Sequence, residues 1–137
     1  MTRILVDTSA LVAALNVGDE HHERAVMAWT RLLEGIKSRE YSGVTHYGVV
    51  MEANALVQRR LGMDAVRELH DGLLAALDLE WVDRTLHRAA VSAMLAAGHR
   101  RVSLVDWTSF ELMRAKRIRY ALAFDSDFER RGFRLPW

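Results

Sequence analysis

The 137 residues contain no cysteine. That excludes disulfides, thiolate metal sites and thiol nucleophiles, and it agrees with a reducing compartment. Proline occurs once, at Pro136, so no proline-rich spacer divides the chain. No apolar run approaches the roughly 20 residues of a membrane-spanning helix, and the apolar stretch near Met1 is far too short for a signal peptide. The expectation is a soluble, cytoplasmic protein with no membrane partner. Charge of one sign is lacking too: 19 Lys and Arg stand against 18 Asp and Glu, which favours a local groove over a wholly basic surface. What is present suits one globular domain spanning 1–137. Half the residues are hydrophobic and 27% are charged, and a chain of this length buries roughly two-thirds of its unfolded surface.

The near-balance hides clumps of basic residues: Arg59-Arg60, Arg100-Arg101, Arg114 with Lys116, Arg117 and Arg119, then Arg130-Arg131 and Arg134. Such clusters can be a nucleic-acid footprint or ordinary solvated helix faces. Alone they decide nothing.

Apolar periodicity alternates between strand and helix. Ile4-Leu5-Val6 reads as a strand, followed by a short helix over Leu11–Leu15. Asp19 can cap a helix carrying Ala25, Val26, Trp29, Leu32 and Leu33, with Gly35 ending it. Tyr41–Val44 is a second strand, and Thr45 precedes a helix that packs Val49, Ala53, Leu56 and Val57 inward before Gly62. Asp64 can cap the next helix, up to Leu77; Leu79–Val82 forms a third strand, and Asp83 caps a helix closed by Gly98. Ser103-Leu104-Val105 leads into a helix opened by Asp106, and Tyr120–Phe124 is the last strand. The alternation predicts an α/β fold, a central parallel sheet flanked by helices on both faces.

Within this frame four acids sit where acids are out of place. Asp7 and Asp125 end apolar strands, Asp106 opens a helix, and Glu52 interrupts an inward stripe between Val49 and Leu56. A helix of about 12 residues from Asp106 rises about 18 Å, and five strand residues return about 17 Å. Asp125 therefore comes back to the level of Asp106, at the carboxyl edge where α/β sheets bind ligands. Each acid has an ordinary alternative: an N-cap for Asp106, Asx-turns for Asp7 and Asp125, an arginine partner for Glu52. Four converging carboxylates need a hard dication such as Mg²⁺ or Mn²⁺.

Other constellations are weaker. His22-Glu23 begins like a zinc helix, but Val26 stands where the second histidine belongs. His46, His70, His87 and His99 are dispersed, as surface or helix-flank residues would be. No phosphate-binding glycine loop or Gly-x-Ser-x-Gly turn occurs.

Val6-Asp7-Thr8-Ser9, Glu52, Ser103 through Phe110, and Ala123-Phe124-Asp125-Ser126-Asp127-Phe128 together resemble a PIN-domain ribonuclease, with the nearest likeness to VapC toxins. The resemblance spans nearly the whole chain. It implies a single PIN domain and an Mg²⁺- or Mn²⁺-dependent endoribonuclease acting on RNA. It also implies a homodimer, silenced by a VapB-type antitoxin whose tail occupies the active groove. By position, Asp7, Glu52, Asp106 and Asp125 match the catalytic, metal-holding quartet, with Asp7 and Asp106 as direct ligands. Asp127 assists, and Ser9, with Thr8 beside it, orients Asp7. Trp107 departs from the pattern, being bulky where smaller residues are usual, and it bears on groove shape or on the core. The competing readings are a non-catalytic PIN-like module that binds RNA or protein, and a metal-dependent DNA nuclease using the same acids.

Overall fold

The computed structural model describes all residues, 1–137. Four strands, β1 (Thr2–Val6), β2 (Tyr41–His46), β3 (Asp78–Glu80) and β4 (Tyr120–Leu122), form one sheet in the order β3-β2-β1-β4. Every neighbouring pair is parallel, so each connection is a helical crossover. Helices α1 (Thr8–Leu15) and α2 (His22–Lys37) join β1 to β2. Between β2 and β3 run α3 (Tyr47–Leu61) and α4 (Met63–Arg67), continued by a π-helical turn over Glu68–Leu73 and a 3-10 turn over Leu74–Ala76. Helices α5 (Arg84–Ala97) and α6 (Leu104–Lys116) lead to β4, and a single turn, α7 (Asp127–Arg130), follows it.

Period-two alternation in β1 sends side chains to both faces of the sheet. Ile4 and Val6 join a core with Leu11, Leu32, Val49, Val57 and Leu69, while Leu5 joins another with Val44, Phe110, Met113 and Phe128. Ile4, Leu5 and Val6 are wholly buried, which explains their continuous apolar run. Crossovers that return every strand in the same direction leave all four carboxyl ends at one edge.

Several elements differ in extent from the sequence expectation, each for a local reason. Asp19 does not cap α2; its carboxylate accepts from His21 N at 2.8 Å in the preceding turn, and the helix starts at His22. The helix then passes Gly35 and ends at Lys37. A Cβ at Gly35 would lie 1.9 Å from the Tyr41 ring, so this glycine serves close packing, not termination. Val26 is exposed, not inward. Thr45 lies within β2, and His46 caps α3 instead. Asp64 sits in the first turn of α4, paired with Arg67 at 2.9 Å, because Gly62 at φ 92° already breaks the chain. Strand β3 stops at Glu80, and Trp81 leaves the ladder to lie against Tyr47 with ring centroids 5.0 Å apart. Strand β4 stops at Leu122, and Phe124 N donates to the Ser9 hydroxyl at 3.0 Å. Asp83 and Gly98 bound α5 as expected.

Candidate active site

Asp7 follows β1 directly. Its backbone N–H donates to Leu122 O across the sheet at 3.0 Å, and its side chain caps α1. One carboxylate oxygen, Oδ2, accepts from Ser9 N at 3.2 Å and from Ser9 Oγ at 2.7 Å. The same Ser9 hydroxyl accepts from Phe124 N, so it ties the ends of β1 and β4 together while fixing the Asp7 rotamer. The other oxygen, Oδ1, is buried and has no hydrogen-bond partner. Burial pushes the Asp7 carboxyl up to about 6; the Ser9 hydrogen bonds oppose the shift, and the charges of Glu52 and Asp125 add to it.

Asp106 is held differently. Ser103, not Asp106, is the N-cap of α6, accepting from Asp106 N at 3.1 Å, while Asp106 Oδ2 accepts from Ser103 N at 3.4 Å. This reciprocal capping box fixes the carboxylate in the first turn. Burial raises its carboxyl to about 7, followed by the charges of Asp7, Asp125 and Glu52. Asp125 begins a turn in which its Oδ1 accepts from Asp127 N at 2.9 Å, and burial raises its carboxyl too. Glu52 stands half-buried on α3, in the stripe with Val49 and Ala53.

The charges of Asp7, Asp125 and Glu52 all act on Asp106, so the four sequence-expected acids share one neighbourhood. The tightest set also includes Asp127: one carboxylate oxygen each from Asp106, Asp125 and Asp127 lie within 4.8 Å of one another. Asp7 and Glu52 stand outside that set, close enough for their charges to act on Asp106. Unit charges about 4 Å apart repel by about 4 kcal/mol at an effective dielectric of 20. The cluster, all oxygen and with one buried oxygen unpartnered, fits a hard divalent cation.

Thr8 is buried, but its hydroxyl has no partner and does not reach Asp7. Trp107 belongs to the core and not to an open groove. It is 3% exposed, edge-on to Phe110 at 5.5 Å, with the Arg131 guanidinium 4.4 Å from its ring centroid.

Sequence reasoning missed His46. It does flank a helix, as the N-cap of α3, but the ring is fully buried and not at the surface; Gly48 N and Val49 N donate to its Nδ1 at 3.0 and 3.4 Å. The proton therefore resides on Nε2, which donates to Ser109 Oγ at 2.8 Å, and Ser109 donates to Val105 O at 3.2 Å. Burial lowers its pKa to about 4, keeping it neutral. This chain of bonds ties the first turn of α3, next to Glu52, to the first turns of α6, which carry Asp106. A polar residue at a strand-to-helix junction was the available signal. His46→Ala is expected to cost about 2–4 kcal/mol, combining a lost cap of about 1 with unsatisfied buried partners; urea unfolding measures it, and a loss below 1 kcal/mol would contradict this role.

Comparison with known proteins places the geometry in context. The PIN domain family matches residues 4–134. The chain is 35% identical over 131 residues to the 23S rRNA-specific endonuclease VapC20 of two strains of Mycobacterium tuberculosis, covering 95% of each chain. The crystal structure of Mycobacterium tuberculosis VapC20, a sarcin-ricin-loop-cleaving toxin, superposes with a TM-score of 0.82 at 33% identity, over 96% of both chains. VapBC2 from Rickettsia felis, bound to a DNA fragment from its promoter, superposes at 0.69 with 13% identity, covering 98% of this chain and 97% of that one, and shares the fold alone.

Proposed function

This chain belongs to the PIN-domain family, and from that premise we propose that Asp7, Glu52, Asp106 and Asp125, assisted by Asp127, form its catalytic metal site. The protein is an endoribonuclease of the VapC toxin type that hydrolyses RNA phosphodiester bonds. The observation that carries the site assignment is the buried, unpartnered Oδ1 of Asp7, in a place where burial and then the charges of neighbouring carboxylates raise the carboxyls of Asp7 and Asp106. A structural aspartate would be paired; a ligand is left open. Mg²⁺ or Mn²⁺ is the proposed cation, since both prefer oxygen ligands.

A bound cation supplies a water of lowered pKa and offsets charge on the phosphoryl oxygens. The side chains do the rest. Ser9 holds Asp7 in one rotamer, and the Ser103 capping box holds Asp106. His46, neutral and buried, keeps α3 and α6 in fixed relation without adding a charge. Asp125 is braced by the Asp127 backbone, and Arg130, 3.4 Å from Asp127, partly offsets the local negative charge.

Titrating Mn²⁺ into the protein by calorimetry tests the site. Saturable binding that weakens at least about tenfold in Asp106→Asn is expected, the range for losing a ligand or its support. Equal affinity in both proteins would remove Asp106 from the site.

The substrate proposed is ribosomal RNA, the class cut by the 35%-identical relative. A VapB-type antitoxin is the proposed partner, and the proposed setting is the cytoplasm. A homodimer is supported by large exposed apolar side chains, Tyr47 and Met51 on α3 and Trp81 after β3. Light scattering of the chain, alone and co-expressed with its antitoxin, checks both assemblies; the mass of a single chain throughout would remove them.

A further inference from the structure

A cavity of about 480 Å³ opens beside the acids and shares Ser9 and Asp125 with them. Its remaining walls include Leu56 and Arg60 of α3, His21 from the turn before α2, and Phe124. Glu52, Leu56 and Arg60 recur at intervals of four, which puts them on one helix face. The row leads outward from the metal site, and the eight steps from Glu52 to Arg60 cover about 12 Å at 1.5 Å per residue. Arg60 is exposed and has no carboxylate within 4.0 Å, unlike Arg67, Arg114 and Arg130. An exposed guanidinium with no carboxylate partner, on the wall of the cavity that also holds Asp125, is available to an incoming anion.

The other wall is aromatic. His21 lies parallel on Phe124, with planes 7° apart and centroids 5.0 Å apart, and the Arg24 guanidinium is 5.2 Å from the Phe124 centroid. Glu20 meets the His21 ring through Nε2 at 3.3 Å, an edge contact that leaves the faces of the ring alone. Phe124 is itself fixed by the bond from its N–H to Ser9, the residue that orients Asp7. The aromatic wall and the metal site therefore share one anchor. A phosphate alone would leave most of this volume empty, and an aliphatic ligand would not use the flat wall. An unpaired nucleotide uses both features, since single-stranded RNA is held by bases stacked on aromatic side chains, histidine included, and by cations on its phosphates.

We propose that this cavity is the nucleotide subsite of the nuclease: an unpaired base flanking the scissile bond stacks on His21, braced by Phe124, while Arg60 takes a neighbouring phosphate. The proposal rests on the ribonuclease reading and gives it a basis for choosing looped, unpaired RNA. A duplex keeps its bases stacked on one another and cannot fill the cavity.

Fluorescence anisotropy of a labelled single-stranded RNA with the Asp7→Asn protein, which leaves the RNA uncut, tests it. Adding His21→Ala should weaken binding about tenfold, the worth of one base stack. Adding Arg60→Ala should lower the slope of log affinity against log salt by about 0.7, one phosphate contact on a single strand, and Arg60→Lys should restore it. In the otherwise unmodified enzyme both changes should raise KM and leave kcat and Mn²⁺ affinity unaltered. Unchanged affinity and slope in both variants, while the unmodified protein still cuts the same RNA, would overturn the subsite and leave the nuclease standing. An unmodified protein that cuts no RNA with either cation would overturn both.

Discussion

Asp7→Asn is expected to lower RNA cleavage by about a thousandfold or more, the scale of losing a preorganised electrostatic group at a reacting centre, and to make the metal-free protein more stable. The two effects have one cause. Asp7 is 3% exposed, and its Oδ1 meets no donor, so the Ser9 bonds offset only part of the burial cost of the ionised form and a cation is needed to offset the rest. Burial lifts its carboxyl from 3.8 to about 6, which corresponds to about 3 kcal/mol against the ionised form. Asparagine keeps the shape and an oxygen for Ser9 to bond, and it abolishes that cost above neutrality. Cleavage assays with Mn²⁺, and urea unfolding at pH 8 in EDTA, measure both effects. A variant that cuts RNA at the unmodified rate would exclude Asp7 from the site; one that is inactive but also less stable would mark Asp7 as structural.

The second large effect is a reversal of pH dependence by metal. The folded-state carboxyls of Asp7 and Asp106 lie at about 6 and about 7, both above the ordinary 3.8. Between about pH 4 and 7 folded Asp7 and Asp106 therefore hold protons that the unfolded chain has released; His46, lowered to about 4, opposes this up to about pH 6.5, but one imidazole offsets only part of two carboxyls, and stability falls as pH rises from 5 to 8. The stability contributed by the protonated pair is fully present below about pH 4 and lost above about pH 7. A divalent cation acts in the opposite sense because it binds the ionised carboxylates, adding about 2.7 kcal/mol at a hundred times its dissociation constant. Urea midpoints in EDTA should thus fall from pH 5 to pH 8, and saturating Mn²⁺ should raise the midpoint far more at pH 8 than at pH 5. A Mn²⁺ effect equal at both pH values would contradict the account.

The order of strands and helices was legible because β1 is buried on both faces and because Asp83 and Gly98 punctuate α5 by strictly local chemistry. Element ends were less so. Gly35 reads as a stop, yet it is small because Tyr41 packs onto it from β2, a contact between separate elements. The end of β4 was set by Ser9, more than a hundred residues away. The four acids could be picked out because each breaks an apolar pattern, and the crossover geometry brought them to one edge. Asp127 entered the closest carboxylate set through a turn whose backbone bond holds Asp125, detail that spacing alone does not supply. His46 stands at a strand-to-helix junction, which marks it as a cap, but the sequence does not show that the imidazole is buried and neutral. Its role depends on Ser109, on a helix from the other end of the chain.

The central claim is that this acidic cluster makes the protein a metal-dependent ribonuclease, and cleavage of total cellular RNA by the purified protein tests it most directly. With Mg²⁺ or Mn²⁺ the account predicts a few discrete fragments, including a cut in the large ribosomal RNA, which disappear in EDTA and with Asp106→Asn. Fragments that persist in EDTA, or that Asp106→Asn produces undiminished, would contradict it.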